Sequence, residues 1–236
     1  MGVPCVLAVC TGPAVPYARG SRSAIDKRVR SGRIHCGALG LAGDAQGDLR
    51  VHGGADKAVH HYPQEHYAVW RSELGPHPLL DAPAAFGENL HTTGLTEADV
   101  CLGDRFRVGE ALLEVSQARQ PCWKLNERFA RPGMAAQVQR TGRTGWYYRV
   151  LEEGDVWAGA QLLLQARPYP QWSLARLLDV LYRPSLDAAE LRAAFALPIP
   201  ANWHRLLQRR LESGAVESWA SRLEGPESVE NVALKP

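Results

Sequence analysis

Paired cysteines and long apolar runs are both missing from this chain. Its 236 residues include five cysteines, Cys5, Cys10, Cys36, Cys101 and Cys122, scattered singly and with no CxxC pair. That pattern excludes a zinc-ribbon or dithiol redox site and fits a reducing compartment. No apolar stretch approaches the roughly 20 residues of a membrane span. Met1 to Pro16 lack the cationic start of a signal peptide, and Val6 stands where a myristoylation signal needs Ser or Thr. The expectation is a cytoplasmic protein with no membrane partner.

An excess of one charge is lacking too. With 27 Lys and Arg against 25 Asp and Glu, the net charge is +2. A field that weak does not gather nucleic acid or anionic lipid in bulk, so any anion recognition has to be local. Several motifs are also absent. There is no phosphate-cradling G-x-x-x-x-G-K-[ST] loop and no zinc-binding H-E-x-x-H helix, and Gly37, Gly40 and Gly43 have the wrong spacing for a dinucleotide fingerprint. His52-Gly53-Gly54 is similar to a lipase oxyanion loop, but no G-x-S-x-G elbow accompanies it, which excludes a serine hydrolase.

What is present, over the first two thirds, is a series of short apolar runs punctuated by Gly, Pro, Asp and Asn. This predicts a mainly β, closed or partly closed barrel-like domain with short helices. Predicted strands are Cys5 to Cys10, Ser23 to Val29, Asp104 to Val108, Ala111 to Gln117, Gly145 to Val150 and Ala160 to Gln165, with a tight hairpin at Gly109-Glu110. Helices are predicted over Pro63 to Leu74, with apolar Tyr67, Val69, Trp70 and Leu74, and over Trp123 to Phe129.

Arg167-Pro168-Tyr169-Pro170 breaks the pattern, dividing a domain of residues 1–167 from a three-helix unit of residues 172–236. Leu174, Leu177, Leu178 and Leu181 mark its first helix, with Ser173 as N-cap. Asp187 and Glu190 form a capping box for the second, which has Leu191, Ala194 and Phe195 on its apolar side. Trp203, Leu206, Leu207 and Leu211 give the third its stripe, and Gly214 ends it. The tail from Glu217 onward is expected to be poorly ordered at its end. Arg205, Arg209 and Arg210 could mimic a DNA-reading helix, but they serve equally as a solvated face in a chain that is not basic, so no nucleic-acid partner is expected.

Three clusters carry candidate chemistry. The first is the polar stretch Arg50-Val51-His52-Gly53-Gly54, Lys57, His60-His61-Tyr62 and His66, which holds half of the eight histidines. Its glycine pair lets backbone approach a ligand, while Arg50, His52, Lys57 and His60 can donate to an anion. A histidine metal site is disfavoured, because adjacent His60 and His61 would point to opposite faces of a strand. The second is Phe86-Gly87-Glu88-Asn89-Leu90, where Glu88 and Asn89 would orient a ligand or fix a donor in the first loop. The third is Arg119-Gln120-Pro121-Cys122-Trp123-Lys124-Leu125-Asn126. Here Cys122 precedes a short helix beside Arg119 and Lys124, a setting that favours thiolate. The other cysteines lack it.

These strings, together with Gly40-Leu41-Ala42-Gly43-Asp44, Val59-His60-His61-Tyr62-Pro63 and Gly103-Asp104, in this order, resemble a MOSC domain of the YiiM-like subgroup over about residues 3 to 165. The helical end is similar to that subgroup's three-helix extension. The resemblance implies that the chain binds the molybdenum cofactor in its molybdopterin form. Cys122 would be the catalytic thiolate and the metal's protein ligand, and Arg50, His52, Gly53, Gly54, Lys57, His60, Glu88, Asn89, Arg119, Lys124 and Asn126 would surround the cofactor. It implies reduction of N-hydroxylated compounds such as purine base analogues, a detoxification. No flavin or iron-sulfur motif is visible, so a separate electron-donor protein would supply electrons. The alternative is a non-catalytic carrier of cofactor or sulfur, with Cys122 as a persulfide. The helical end would shield the cofactor, dock the donor or pair with a second subunit as a homodimer.

Overall fold

The structure, a computed structural model, describes residues 2–47, 53–183 and 186–225; Arg50 and His52 of the predicted loop lie outside the described residues. The chain begins with strands β1 (Cys5–Thr11), β2 (Val15–Pro16), β3 (Arg22–Ser23), β4 (Arg28–Arg30), β5 (Ile34–Gly37), β6 (Gly40–Leu41) and β7 (Val59–Pro63). Helix α1 (Glu65–Leu74) leads to β8 (Leu90–Thr93), β9 (Arg105–Val108) and β10 (Ala111–Ala118). Helices α2 (Lys124–Arg128) and α3 (Met134–Thr141) precede β11 (Trp146–Glu152), β12 (Gly154–Val156) and β13 (Leu162–Ala166). Helices α4 (Leu174–Tyr182), α5 (Ala188–Phe195), α6 (Ala201–Ser213) and α7 (Ala220–Glu224) follow.

Eight strands form one mixed sheet in the order β13-β9-β10-β11-β7-β8-β1-β4, beside a three-stranded sheet β12-β5-β6 and the ribbon β2-β3. In the large sheet β7 and β8 run parallel. Its ladders do not close a barrel, yet the sheet curls far enough that the chain entering β13 meets β1. Val6 N donates to Ala160 O at 2.9 Å, Gly159 N to Val6 O at 2.7 Å and Leu162 N to Pro4 O at 2.9 Å. Curling encloses an apolar cluster, and strand β10, buried at nearly every position, runs through it. The β9–β10 hairpin turns at Gly109 with φ 59°, where a Cβ would stand 2.5 Å from Asp155 O, so only glycine fits.

The helical end does not stand apart from this core. Leu174, Leu177, Leu178, Leu181, Trp203 and Leu207 belong to the same apolar cluster as Val9, Val59 and Val115 of the sheet. The caps act as the sequence suggests: Ser173 accepts from Arg176 N at 3.2 Å, Asp187 accepts from Ala189 N and Glu190 N, and Gly214 ends α6 at φ 62°.

Several expectations need correction. The strand expected over Ser23 to Val29 is instead two short pieces, β3 and β4, because the intervening residues turn inward to bring Lys27 to the cleft described below. Pro63 ends β7 rather than starting α1, and Val69 faces solvent while His66 is buried in its place. Phe195 is exposed against the His204 ring. Arg210 is buried rather than solvated: its guanidinium donates to Val180 O and Leu181 O at the end of α4 and pairs with Glu217 at 2.7 Å. The tail from Glu217 forms α7, which packs against the Cys122 loop, while its end, residues 226–236, lies outside the described residues.

Candidate functional site

Register sets the site. Strands β7 and β11 pair His61 with Trp146 and His60 with Tyr147. Because side chains alternate along a strand, His61 and Trp146 stack at 3.8 Å on one face while His60 and Tyr147 meet at 4.9 Å on the other. Arg119, one residue past β10, joins them when its N–H bonds Gly145 O at 3.0 Å. Asn89, just before β8, ties three segments: its Oδ1 accepts from His60 N, and its Nδ2 donates to Cys10 O and to Asp44 Oδ2. Asp44 also accepts from Gly12 N at 2.9 Å and forms a buried ion pair with Lys27.

Two clefts meet at Cys122. The first, narrow at about 90 Å³, is lined by Lys27, Asp44, His60, Asn89, Arg119 and Lys124 among others. The second, about 650 Å³, lies between the sheet and the helical end and is lined by Gly53, Gln120, Trp123, Asn202, Arg205 and Arg222 among others. Lys57, Cys122 and Tyr147 border both.

Burial governs the electrostatics. It carries the His60 imidazole down to about 3, with the Arg119 charge adding to the effect, so the ring is neutral. Its buried Nε2 has no hydrogen-bond partner among the described residues. Arg119 is 6 % exposed, and its buried Nη1 also lacks a partner. Desolvation lowers Lys57, opposed by the nearby Cys122 and Asp56, and it lowers Lys27, opposed by Asp44. Cys122 is half-buried, immediately before the Trp123 cap of α2, as the sequence suggested. Burial pushes Cys10 and Cys36 up to about 12, and both are fully buried.

Some sequence-predicted residues lie elsewhere. Glu88 is fully buried outside both clefts, where it accepts from Ala84 N, Phe86 N, Tyr67 Oη and His91 Nδ1, so it fixes the loop that presents Asn89. Asn126 spans Leu223 O and Ala135 N. Gly54 opens the turn Ala55–Lys57 at φ 91° and so places Lys57. Lys124 borders the first cleft while donating to Arg22 O at 2.6 Å. Sequence reasoning missed Lys27 and Tyr147. Lys27 sat inside a supposed strand, and Tyr147 read only as a strand aromatic. Among the described residues no group of three His, Cys, Asp or Glu side chains could hold a metal ion, and no helix is long and apolar enough to cross a membrane.

With that geometry in view, residues 48–163 match the model of the MOSC domain, and residues 172–214 match the YiiM-like, 3-alpha helix domain. The protein YiiM of Escherichia coli is 42% identical over 217 residues, covering 92% of this chain and 97% of YiiM. The chain belongs to the YiiM-like MOSC family. The crystal structure of YiiM from Escherichia coli superposes with a TM-score of 0.76 at 34% identity, covering 94% of this chain and 99% of that one. YiiM from Geobacillus stearothermophilus gives 0.75 at 34% identity, covering 88% and 99%. A Gibberella moniliformis protein named reductase is 40% identical over 192 residues, 81% of this chain but 34% of that protein.

Proposed function

We propose that this chain is a cytoplasmic molybdenum-cofactor-binding oxidoreductase that reduces N-hydroxylated compounds, purine base analogues among them, with electrons from a separate donor protein. One observation carries the reading: two buried polar atoms without partners, Arg119 Nη1 and His60 Nε2, line the same cleft as the half-buried Cys122. A buried polar atom without a partner costs about 1–3 kcal/mol, so two of them in one cleft leave hydrogen-bonding capacity that a ligand would satisfy. The donor set suits an anionic, sulfur-rich group. Cys122 is a soft ligand for a thiophilic metal, and Arg119, Lys57 and Lys124 stand beside it as cations for phosphate. The second cleft falls within the roughly 300–1,000 Å³ typical of small-molecule sites.

In this reading Cys122 Sγ would hold the metal, Arg119 and Lys57 would neutralise negative charge next to it, and His60 Nε2 would accept from a proton-bearing group. Neutral His60 adds no charge, so the positive charge of the site comes from Arg119 and the lysines that line the cleft. Trp123, Tyr147, Gln120 and Asn202 line the second cleft, where a planar base would lie, and Asn202 Nδ2 donates to Gln120 Oε1 at 3.1 Å. The cofactor, when bound, supplies the two-electron chemistry; the protein binds, orients and shields. Five unpaired cysteines fit a reducing compartment.

The test is elemental analysis and turnover on protein from a cofactor-competent host. Wild type should retain molybdenum and reduce an N-hydroxylated base in the presence of reductant, and Cys122→Ala should lose both. Full molybdenum retention and activity in Cys122→Ala would refute the proposal. Retention in the wild type without turnover would favour a carrier of cofactor or sulfur instead.

A further inference from the structure

The loop bearing Cys122 is held by a segment far from it in sequence. Pro121 has no N–H, and Trp123, at the start of α2, has an N–H that no helical carbonyl can reach. Both flanking residues find their partner in Arg222 of α7. Its guanidinium Nη1 donates to Pro121 O, and its backbone O accepts from Trp123 N at 2.8 Å. Arg222 is itself braced, since Nη2 donates to Gln139 Oε1 at 2.5 Å and the guanidinium lies 5.5 Å from the Tyr182 ring centre. The rest of α7 reinforces the grip. Leu223 O accepts from Asn126 at 2.8 Å, and a Cβ on Gly225 would stand 2.8 Å from the Trp123 ring. This short helix lies beyond the segment that matches the three-helix domain, and Arg222 borders the second cleft beside Cys122.

We propose that Arg222 is the positioning residue of Cys122: by gripping Pro121 and Trp123 together it fixes Cys122 Sγ at the junction of the two clefts and limits the sulfur's excursions. The inference rests on the reading of Cys122 as the functional thiol, and it predicts behaviour that can be read without cofactor. In the purified full chain, alkylation of each cysteine by iodoacetamide is followed by mass spectrometry, with half-buried Cys5 as the internal control. Losing a charge-assisted bond on one flank should loosen the loop. Cys122 in Arg222→Gln should therefore alkylate about ten-fold faster, the equivalent of roughly 1.4 kcal/mol of easier opening, with Cys5 unchanged. Arg222→Lys, which keeps the charge but not the fork, should fall between. If Arg222→Gln fails to fold, Arg222→Lys carries the test alone, and a rise at Cys122 against a constant Cys5 supports the proposal. A Cys122 rate within roughly two-fold of wild type in the folded variants overturns it. An equal rise at Cys5, which signals general loosening, also overturns it. If Cys122→Ala kept molybdenum and activity, the functional reading would fall while the alkylation difference still stood.

Discussion

Replacing Glu88 by Gln tests whether this carboxylate belongs to the scaffold or to the ligand. Its side chain is fully buried and takes four donors: Ala84 N at 2.9 Å, Phe86 N at 3.1 Å, His91 Nδ1 at 3.2 Å and the Tyr67 hydroxyl. Those bonds also hold Ala84 in the left-handed region at φ 72°, where a non-glycine residue is strained. Glutamine keeps the shape but loses the charge, and its amide would turn a donor toward at least one of these donors. A bond to a charged group contributes about 1.5–3 kcal/mol against about 0.5–1.5 kcal/mol for a neutral pair, so weakening several and opposing one should cost about 3 kcal/mol. At roughly 2–4 °C per kcal/mol for a chain of this size, the melting temperature should fall by about 6–12 °C.

Acid should erase that difference. Burial alone would raise the Glu88 carboxyl, but the hydrogen bond and charge of His91, with the Tyr67 hydroxyl and backbone N–H groups, carry it below 4.5. A folded-state value beneath the unfolded one means that the stabilisation is complete above the unfolded value, and it disappears as pH falls through the folded one. Urea denaturation of cofactor-free wild type and Glu88→Gln at pH values from about 7 down to about 3 should show a gap that narrows below about 4.5. A gap smaller than about 0.5 kcal/mol at neutral pH, or one that pH does not change, would refute the scaffold role.

Arg119→Met should leave the melting temperature of cofactor-free protein unchanged or higher, because it removes a buried donor without a partner, while molybdenum retention falls by roughly ten-fold or more. A stability loss larger than the loss of retention would count against Arg119 as a ligand group. Arg210→Ala should cost about 3 kcal/mol in chemical denaturation, since it strands Glu217 and uncaps the Val180 and Leu181 carbonyls; a cost below about 1 kcal/mol would mean the buried pair is not holding α4 to α6.

Sequence and fold divide the site between them in a way that has a physical reason. Local signals were readable. Ser173, Asp187 and Gly214 act as the caps that their chemistry predicts, because capping needs only neighbours a few residues away. Cys122 could be singled out because proline, a helix start and flanking cations are all local. Lys27 could not be placed at the cleft, since nothing within the chain nearby says that Asp44 will meet it and that the strand will break there. For Glu88 the sequence left open whether it orients a ligand or fixes a loop, and its four donors, two of them Tyr67 and His91, place it in the loop.

By itself the sequence determined a strand-rich first part, the helical end and one cysteine set apart from four, while β5, β7, β8 and α3 went unread. Only the tertiary structure decided which side of β7 faces the cleft, that Arg119 and His60 keep unpaired nitrogens there, and that Arg222 reaches back to both neighbours of Cys122. Register, burial and contacts across a hundred residues are set by the packing of the whole sheet, and no short stretch of chain encodes them.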